Sequence, residues 1–401
     1  MSLLWGSGQV SELDLDQKLE MRRAFWALGS STRIDVKLSA LVSGPKGRTR
    51  ITPEEWTDLD VLGVQYVPTG GLVYSVADCK TTKGRATERV FWLRGVSDLF
   101  GARAAYMTKD SDLPASTRQL ARRLDISSMD RRDRTEFVSQ AGELSLPATG
   151  RFFEVATLRN WDQLISAAPR GTARLQRYRR AVYWVMPKHR NLIQLPAYLA
   201  EANRHFLVSQ LWAQALLVDL AWLYLLTTLN ALDEVTRLHL GDSSGALRQV
   251  IVGGEPEMRE KEALRDRIRD LLEFAEPDVS KRPLEQDIVP AYFSDLSDLI
   301  ARAMRRRTYA TEALRVLEFT GTETIAGRGA SWAAAFPAAD PLAPKLASDV
   351  VRFLCRAAKL DVRFVDAFDA AVAGVGDLGH RAQDAPLPRS RLDLFDSADD
   401  A

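Results

Sequence analysis

Apolar and polar positions follow two different patterns along this chain, with a change near residue 150. Before that point, segments with helical periodicity alternate with segments in which polar and apolar residues alternate or which are largely apolar. The predicted elements are a helix over 13–28, strands over 34–42, 56–67 and 72–81, a helix over 89–100, a strand over 104–108 and a helix over 114–124. This order predicts an α/β region in which a mixed sheet is flanked by helices.

Beyond residue 150 the strand patterns fade and helical periodicity dominates. The helical segments are 161–168, 173–185, 195–232, 257–274 and 288–319, with Gly- and Pro-containing breaks near 241–256 and 326–344. The pattern therefore predicts an α/β domain over residues 1–150 and an all-α domain over residues 151–373. Residues 374–401 are polar and contain proline, which predicts a disordered tail.

Charged residues interrupt two of the predicted strands. The strand with Asp58 and Asp60 is followed, after the turn 68–71, by the strand with Asp78 and Lys80. If the two strands pair as a hairpin, Asp60 and Asp78 approach each other near the strand ends. Two such carboxylates suit Mg²⁺, and a lysine two residues further on can stabilise negative charge on a phosphate during hydrolysis.

These residues and elements resemble the PD-(D/E)XK, or restriction endonuclease-like, nuclease family. The resemblance covers about residues 12–130 and assigns Asp60 to the first acid, Asp78 to the second acid and Lys80 to the lysine. It also places Glu20, on the first helix, where some members add a metal ligand. The proline that is common before the first acid is absent here. The resemblance implies Mg²⁺-dependent, or Mn²⁺-dependent, hydrolysis of a phosphodiester, with DNA favoured over RNA.

The same charged residues have a second interpretation, in which the three aspartates are solvated strand-end charges and Lys80 is their ion-pair partner. Charged side chains are depleted in strand interiors, and these lie within otherwise apolar runs, which favours a functional role. Cys79 alternates to the opposite face and is expected to be buried. Glu88 and Arg89 are expected either to border the site or to form a solvated helix start.

Other chemistries find little support in the sequence. No phosphate-binding loop of the form G-x-x-x-x-G-K-[ST] is present, and the four histidines have neither H-x-x-x-H spacing nor cysteine neighbours. The two cysteines, Cys79 and Cys355, are far apart, which fits a reducing cytoplasm. The apolar stretch 206–232 is interrupted by Asp219, so a buried helix is favoured over a membrane span. No signal peptide is visible, and a cytoplasmic location is expected.

The overall charge is balanced, with 54 Lys and Arg against 53 Asp and Glu, so only a local basic surface could favour nucleic acid. Residues 163–200 contain no acid and seven Lys or Arg residues. The candidate nucleic-acid contacts in this segment are Arg174, Arg177, Arg180 and Lys188.

An α-helical reading of this segment gives an apolar stripe formed by Leu175, Tyr178, Val182 and Val185. The candidate arginines then lie on a neighbouring flank, and Tyr183 or Trp184 is available to stack on a base. The alternative is a solvated basic helix with core aromatics, in which case the helical domain recognises a protein partner.

The function expected from the sequence is that of a metal-dependent nuclease, and analogy with the resembled family suggests bacterial genome defence. Two alternatives remain open at this level. One is a ribonuclease on the same scaffold, and the other is a non-catalytic module that binds nucleic acid or protein.

Overall fold

The computed structural model describes residues 12–43, 51–80, 86–141, 146–238, 241–275 and 289–375. The N-terminal elements are α1 (Glu12–Ala27), β1 (Ser31–Ser43), β2 (Ile51–Val67), β3 (Gly71–Lys80), α2 (Ala86–Phe100), β4 (Ala104–Lys109), α3 (Ala115–Arg123), β5 (Ile126–Met129) and α4 (Arg131–Gln140). All seven elements predicted before residue 130 are present. The coarse prediction of a mixed sheet flanked by helices is confirmed.

The five strands form one sheet in the order β1-β2-β3-β4-β5. The first three strands pair antiparallel, whereas β3, β4 and β5 pair parallel. The sequence pattern missed β5 and α4, because β5 has only four residues and α4 is rich in charged residues. Helix α4 nevertheless starts with a capping box, in which Asp130 and Asp133 accept each other's backbone N–H groups.

The hairpin between β2 and β3 requires glycine at Gly71. This residue has a φ of +75°, a left-handed conformation that side chains with a Cβ disfavour. A Cβ added there would also lie 2.4 Å from Oδ2 of Asp233 on the long central helix of the C-terminal region. The tight turn therefore lets the hairpin approach that helix closely.

The C-terminal region is helical in the described residues. Its helices are α5 (Val155–Ser166), α6 (Ala173–Arg177), α7 (Tyr183–Val185), α8 (Lys188–Ala202), α9 (Leu211–Leu238), α10 (Ser243–Val252), α11 (Glu255–Ala275), α12 (Phe293–Arg305), α13 (Ala310–Phe319), α14 (Trp332–Ala335), α15 (Leu342–Ala357) and α16 (Arg363–Ala373). Short 3₁₀ turns lie at Arg170–Thr172, Asn203–His205 and Arg307–Tyr309. Two π-helices are inserted, the first over Tyr178–Val182 and the second over Thr320–Ala326.

Three predictions about these helices are wrong. The segment 195–232 is not one helix, because Phe206 turns back into the core and packs on Trp212, which separates α8 from α9. The predicted break at 241–256 instead contains α10, whose first turn is capped by Asp242 accepting the Gly245 N–H. The periodicity of 288–319 likewise divides into α12 and α13 around a 3₁₀ turn.

Helix α9 is long and apolar enough to cross a membrane by length and composition, but 89% of its most apolar window is buried inside the protein. That is the environment of a core helix, as the sequence predicted. Asp219, which interrupts the apolar stretch, forms ion pairs with Arg33 and Arg179 at 2.9 and 2.8 Å. The one charge in the middle of this helix is thus compensated within the fold.

The sheet and the helical region share one hydrophobic core. Trp222 of α9 donates to the Ser31 hydroxyl at 2.8 Å, and Glu318 of α13 accepts from the Thr32 N–H at 2.6 Å. The predicted boundary near residue 150 separates the two kinds of secondary structure, but apolar packing is continuous across it. The predicted disordered tail, 374–401, lies almost wholly outside the described residues.

Candidate active site

The candidate site lies where β2 and β3 separate. Their pairing ends at Val61 and Ala77, and the next residue on each strand toward the site is Asp60 or Asp78. The Asp60 carboxylate turns toward β3 and accepts the Cys79 backbone N–H at 2.7 Å. The Cys79 N–H thus has a hydrogen-bond partner at a point where β2 and β3 are no longer paired. Local strand geometry therefore positions Asp60 rigidly at this point.

Lys80 joins the two carboxylates. Its Nζ lies 3.6 Å from Asp60 Oδ2 and 3.8 Å from Asp78 Oδ1. Asp60 is 3% exposed and Asp78 is 2% exposed, whereas the Lys80 side chain is 34% exposed. The three residues predicted from the sequence are thus brought together, with the carboxylates inside and the ammonium group toward solvent.

Burial raises the pKa of Asp78; hydrogen bonds from Arg89 act to lower it, and the neighbouring charge of Asp60 raises it further. Arg89, from the first turn of α2, holds both oxygens of this carboxylate, with Nε donating to Oδ2 at 2.6 Å. Its guanidinium also lies over the Trp92 ring, 3.5 Å from the centroid. Of the two expectations for Arg89, bordering the site is the one that the structure bears out.

A second lysine, Lys18 of α1, contacts the other side of Asp60. Its Nζ lies 3.1 Å from Asp60 Oδ1 and donates to Asp35 Oδ1 at 2.7 Å. Burial acts to lower the pKa of Lys18, but the charges of Asp35 and Asp60 outweigh burial and raise it. Asp35 lies within β1 at a φ of +55°, a left-handed conformation that aspartate tolerates better than most residues.

The sequence analysis missed both Lys18 and Asp35. Lys18 carried a signal, because it lies on the same helical face as the apolar Leu15 and Leu19 and is therefore expected to be buried. No sequence signal pointed to Asp35, since its position in the site depends on contact with Lys18, 17 residues away in the chain.

Three of the carboxylates here are close enough together to hold a metal ion. Oxygen atoms of Asp35, Asp58 and Asp60 lie within 4.8 Å of one another, and Asp78 lies on the other side of Asp60. Anionic oxygens at this density are the donors that Mg²⁺ and Mn²⁺ prefer. The cations that now contact them, Lys18 among them, would have to share or release these oxygens when a metal binds.

Glu20 lies apart from this group. Its carboxylate is held by Arg134 of α4, which also donates to Asp110 at 3.0 Å. Helix α1 thus directs Lys18, rather than Glu20, toward Asp60. Cys79 is buried, as predicted, and burial raises the pKa of its thiol, so the thiol stays protonated.

The basic segment departs from the α-helical prediction because of the first π-helix. Arg179, within this π-helix, is buried, although the predicted apolar stripe did not include it. Tyr183 is also buried and donates to the Leu223 carbonyl at 2.8 Å, so it cannot stack on a base. Trp184 remains partly exposed.

The four predicted nucleic-acid contacts differ in their exposure and in their surroundings. Arg174 is exposed and pairs with Glu201 at 2.8 Å, while Arg177 and Lys188 are exposed at other points of the segment. Arg180 instead lines a cleft beside β1. Arg174, Arg177 and Lys188 are thus exposed, whereas Arg180 is partly buried.

No protein-family model, curated protein or solved structure matches this chain. Interpretation of the site therefore depends on its own geometry and chemistry.

Proposed function

We propose that this chain is a metal-dependent nuclease that hydrolyses phosphodiester bonds through Asp60, Asp78 and Lys80. The observation that carries the proposal is the position of the Lys80 ammonium group, 3.6 Å from one carboxylate and 3.8 Å from the other, where two paired strands separate. The helix, the two motif strands and the following helix and strand occur in the order on which the PD-(D/E)XK resemblance rests. That agreement supports the proposal at the level of the fold.

In the proposed mechanism, Asp60 and Asp78 hold Mg²⁺ or Mn²⁺, with Glu20 as a further ligand if its ion pair with Arg134 opens. A bound metal supplies Lewis-acid polarisation of a phosphate oxygen and an activated water. Lys80 is more exposed than either carboxylate and can therefore meet the scissile phosphate. Its charge stabilises the negative charge that the phosphate gains in the transition state.

DNA is the proposed substrate, genome defence the proposed process and the cytoplasm the proposed location, each by analogy with the resembled family or from sequence composition. A ribonuclease is the alternative on the same scaffold. The test is cleavage of plasmid DNA and of matched DNA and RNA oligonucleotides with Mg²⁺, with Mn²⁺ and with EDTA. Metal-dependent cleavage of DNA alone supports the proposal. Metal-dependent cleavage of RNA alone would instead support the ribonuclease alternative.

A non-catalytic binding module is the second candidate, and one observation favours it. Asp78 is held at both oxygens by Arg89, and Asp60 is in contact with Lys18, so the carboxylates already have cationic partners. Calorimetric titration with Mg²⁺ and Mn²⁺ separates the candidates. Heat of binding that disappears in an Asp60→Asn variant supports the nuclease, and absence of binding to the wild type supports the module.

Replacing Lys80 with alanine is expected to lower the turnover number by about 10²–10³-fold while nucleic-acid affinity changes only a few-fold. The reason is that the charge of Lys80 matters most in the transition state. Single-turnover cleavage at saturating DNA measures the first effect, and equilibrium binding in EDTA measures the second.

Lys345→Ala is the matched control, because Lys345 is an exposed lysine on α15. Equal losses of turnover and affinity in Lys80→Ala would mean that Lys80 only binds phosphate and does not stabilise the transition state.

The exposed Arg177 and Lys188 are proposed to contact backbone phosphates. Replacing both with glutamine is expected to flatten the dependence of log K on log[salt] by nearly two units on duplex DNA, since each contact contributes about 0.9. Fluorescence anisotropy across a salt series measures the slope. The control exchanges Arg352 and Lys345, an exposed pair on α15, for glutamine. An unchanged slope in the Arg177 and Lys188 variant would indicate that the helical region recognises a protein.

A further inference from the structure

A cleft of about 600 Å³ lies between the sheet and the helical region. Side chains from α1 and β1 form one wall, and side chains from α5, the first π-helix, α9 and α13 form the other. Its volume is within the roughly 300–1,000 Å³ typical of sites for small molecules and cofactors. Neither the sequence motifs nor the proposed catalytic residues account for this cleft.

Irregular backbone is concentrated around the cleft. Both π-helices of the described chain contribute to it, the first through Arg179 and Arg180 and the second through Gly321 and Thr322. Asp35, with its left-handed conformation, lies on the opposite wall. Such π-turns and strained residues often mark functional sites, because folding alone gains nothing from them.

Two guanidinium groups in the cleft share a single carboxylate. Arg33 from β1 and Arg179 from the first π-helix both contact Oδ2 of Asp219, at 2.9 and 2.8 Å. Burial lowers the pKa of Arg179; the carboxylate of Asp219 opposes this, while the nearby charges of Arg33 and Arg180 lower the pKa further. Guanidinium pairs bind phosphate well, and a phosphate at this wall would give Arg33 and Arg179 a second anionic partner beside Asp219.

The π-helix also brings an aromatic ring to the same wall. Its hydrogen bonds join residue i to residue i+5, as from the Tyr183 N–H to the Tyr178 carbonyl. One turn therefore separates Arg179 from Trp184, and both line the cleft. Trp184 is partly exposed where it lines the cleft, and the rings of Phe100 and Tyr183 pack against it, with centroids 6.0 and 5.0 Å away. A planar ring in the cleft would stack on the exposed part of the indole.

We propose that this cleft binds one nucleotide unit, with its phosphate at Arg33 and Arg179 and its base stacked on Trp184. Lys18 lines the same cleft and lies 3.1 Å from Asp60, so this lysine links the cleft to the carboxylates of the proposed active site. The assignment of this nucleotide to the substrate strand, as an unpaired residue, rests on the proposed nuclease function. The same chemistry would also suit a free nucleotide.

The experiment measures Trp fluorescence and anisotropy in EDTA, where cleavage cannot occur, on the full chain. The probes are a short single-stranded oligo(dT), its duplex with oligo(dA), and thymidine monophosphate. The variants are Trp184→Leu and Arg33→Gln; the second leaves Asp219 paired with Arg179, which protects the fold. The matched controls are Phe274→Leu, which changes an exposed aromatic on α11, and Arg352→Gln on α15.

We expect oligo(dT) to bind and both cleft variants to weaken it by about tenfold, with the controls unchanged. The same result with thymidine monophosphate alone would support the cleft and identify the free nucleotide as its source. Absence of binding to all three probes, binding of the duplex alone, or equal affinity in the cleft variants and the controls would overturn the proposal.

Failure of the two proposals can be told apart. Oligo(dT) binding that depends on Trp184 and Arg33, without any cleavage in Mg²⁺ or Mn²⁺, would leave the cleft as a nucleotide site and reject the nuclease. Metal-dependent cleavage with oligo(dT) affinity unaltered in both cleft variants would reject the cleft and leave the nuclease.

Discussion

The Asp78→Asn variant is expected to lose DNA cleavage by at least about 10³-fold while remaining folded. A residue that only orients a metal ligand typically contributes about 10–100-fold, so a direct ligand is expected to contribute more. Asparagine keeps the size and one oxygen of aspartate but removes the negative charge that Mg²⁺ requires. Plasmid cleavage over a range of Mg²⁺ concentrations measures the effect.

The fold is expected to tolerate this change. Burial raises the pKa of Asp78, so the protein holds this charge against a desolvation cost that asparagine does not carry. Arg89 loses its ionic partner, but its side chain is 29% exposed and water can replace part of the contact. Thermal unfolding followed by circular dichroism is therefore expected to give a melting temperature close to that of the wild type.

Asp98→Asn is the matched control, because it makes the same substitution at an exposed position outside the candidate site. Asp98 is an exposed carboxylate on α2 that pairs with Arg94 one turn away, at 2.7 Å. The control is expected to cleave at the wild-type rate. Turnover within a few-fold of wild type in Asp78→Asn, in a protein shown to be folded, would make the site assignment wrong.

The part of the site that the sequence predicted is the part set by local geometry. Alternation along two strands and a short turn between them are enough to place Asp60, Asp78 and Lys80 together, because each strand fixes its side chains with a period of two. The N-terminal sheet was predictable for the same reason. Apart from the four-residue β5, its strands are long enough for a distinct periodicity, and sequential strands lie side by side.

What the sequence did not predict depends on contacts between distant elements. Lys18 reaches Asp60 from α1, and Glu20 on the same helix turns instead to Arg134, a choice made by the packing of α1 against α4. The π-helix at Tyr178–Val182 changes the spacing of the side chains that follow it, and Tyr183, which was predicted to be available for stacking, is buried. Periodicity assumes one helix type and cannot detect such an insertion.

Replacing Glu318 with glutamine is expected to have the largest effect on stability, a loss of about 3–5 kcal/mol in the free energy of unfolding. The Glu318 side chain on α13 is 7% exposed and accepts the Ser31 hydroxyl at 2.8 Å, the Thr32 N–H at 2.6 Å and the Arg22 guanidinium at 2.9 Å. The NH₂ group of glutamine is a donor, and it would face the hydroxyl, N–H and guanidinium groups that now donate to the Glu318 carboxylate. Arg22, which is 3% exposed, would keep a buried charge and lose the carboxylate that it contacts directly.

Because these contacts join the sheet to the helical region, the same variant tests whether the two unfold together. Urea unfolding followed by Trp fluorescence and by circular dichroism is expected to give one coincident transition at a lower midpoint, since both regions share one core. Glu201→Gln is the control, because it breaks an exposed pair with Arg174 and is expected to change stability by less than about 1 kcal/mol. Two separate transitions in Glu318→Gln would mean that residues 1–150 and 151–373 are independent domains joined mainly through this carboxylate. An unchanged midpoint would mean that apolar packing alone holds the cleft walls in place.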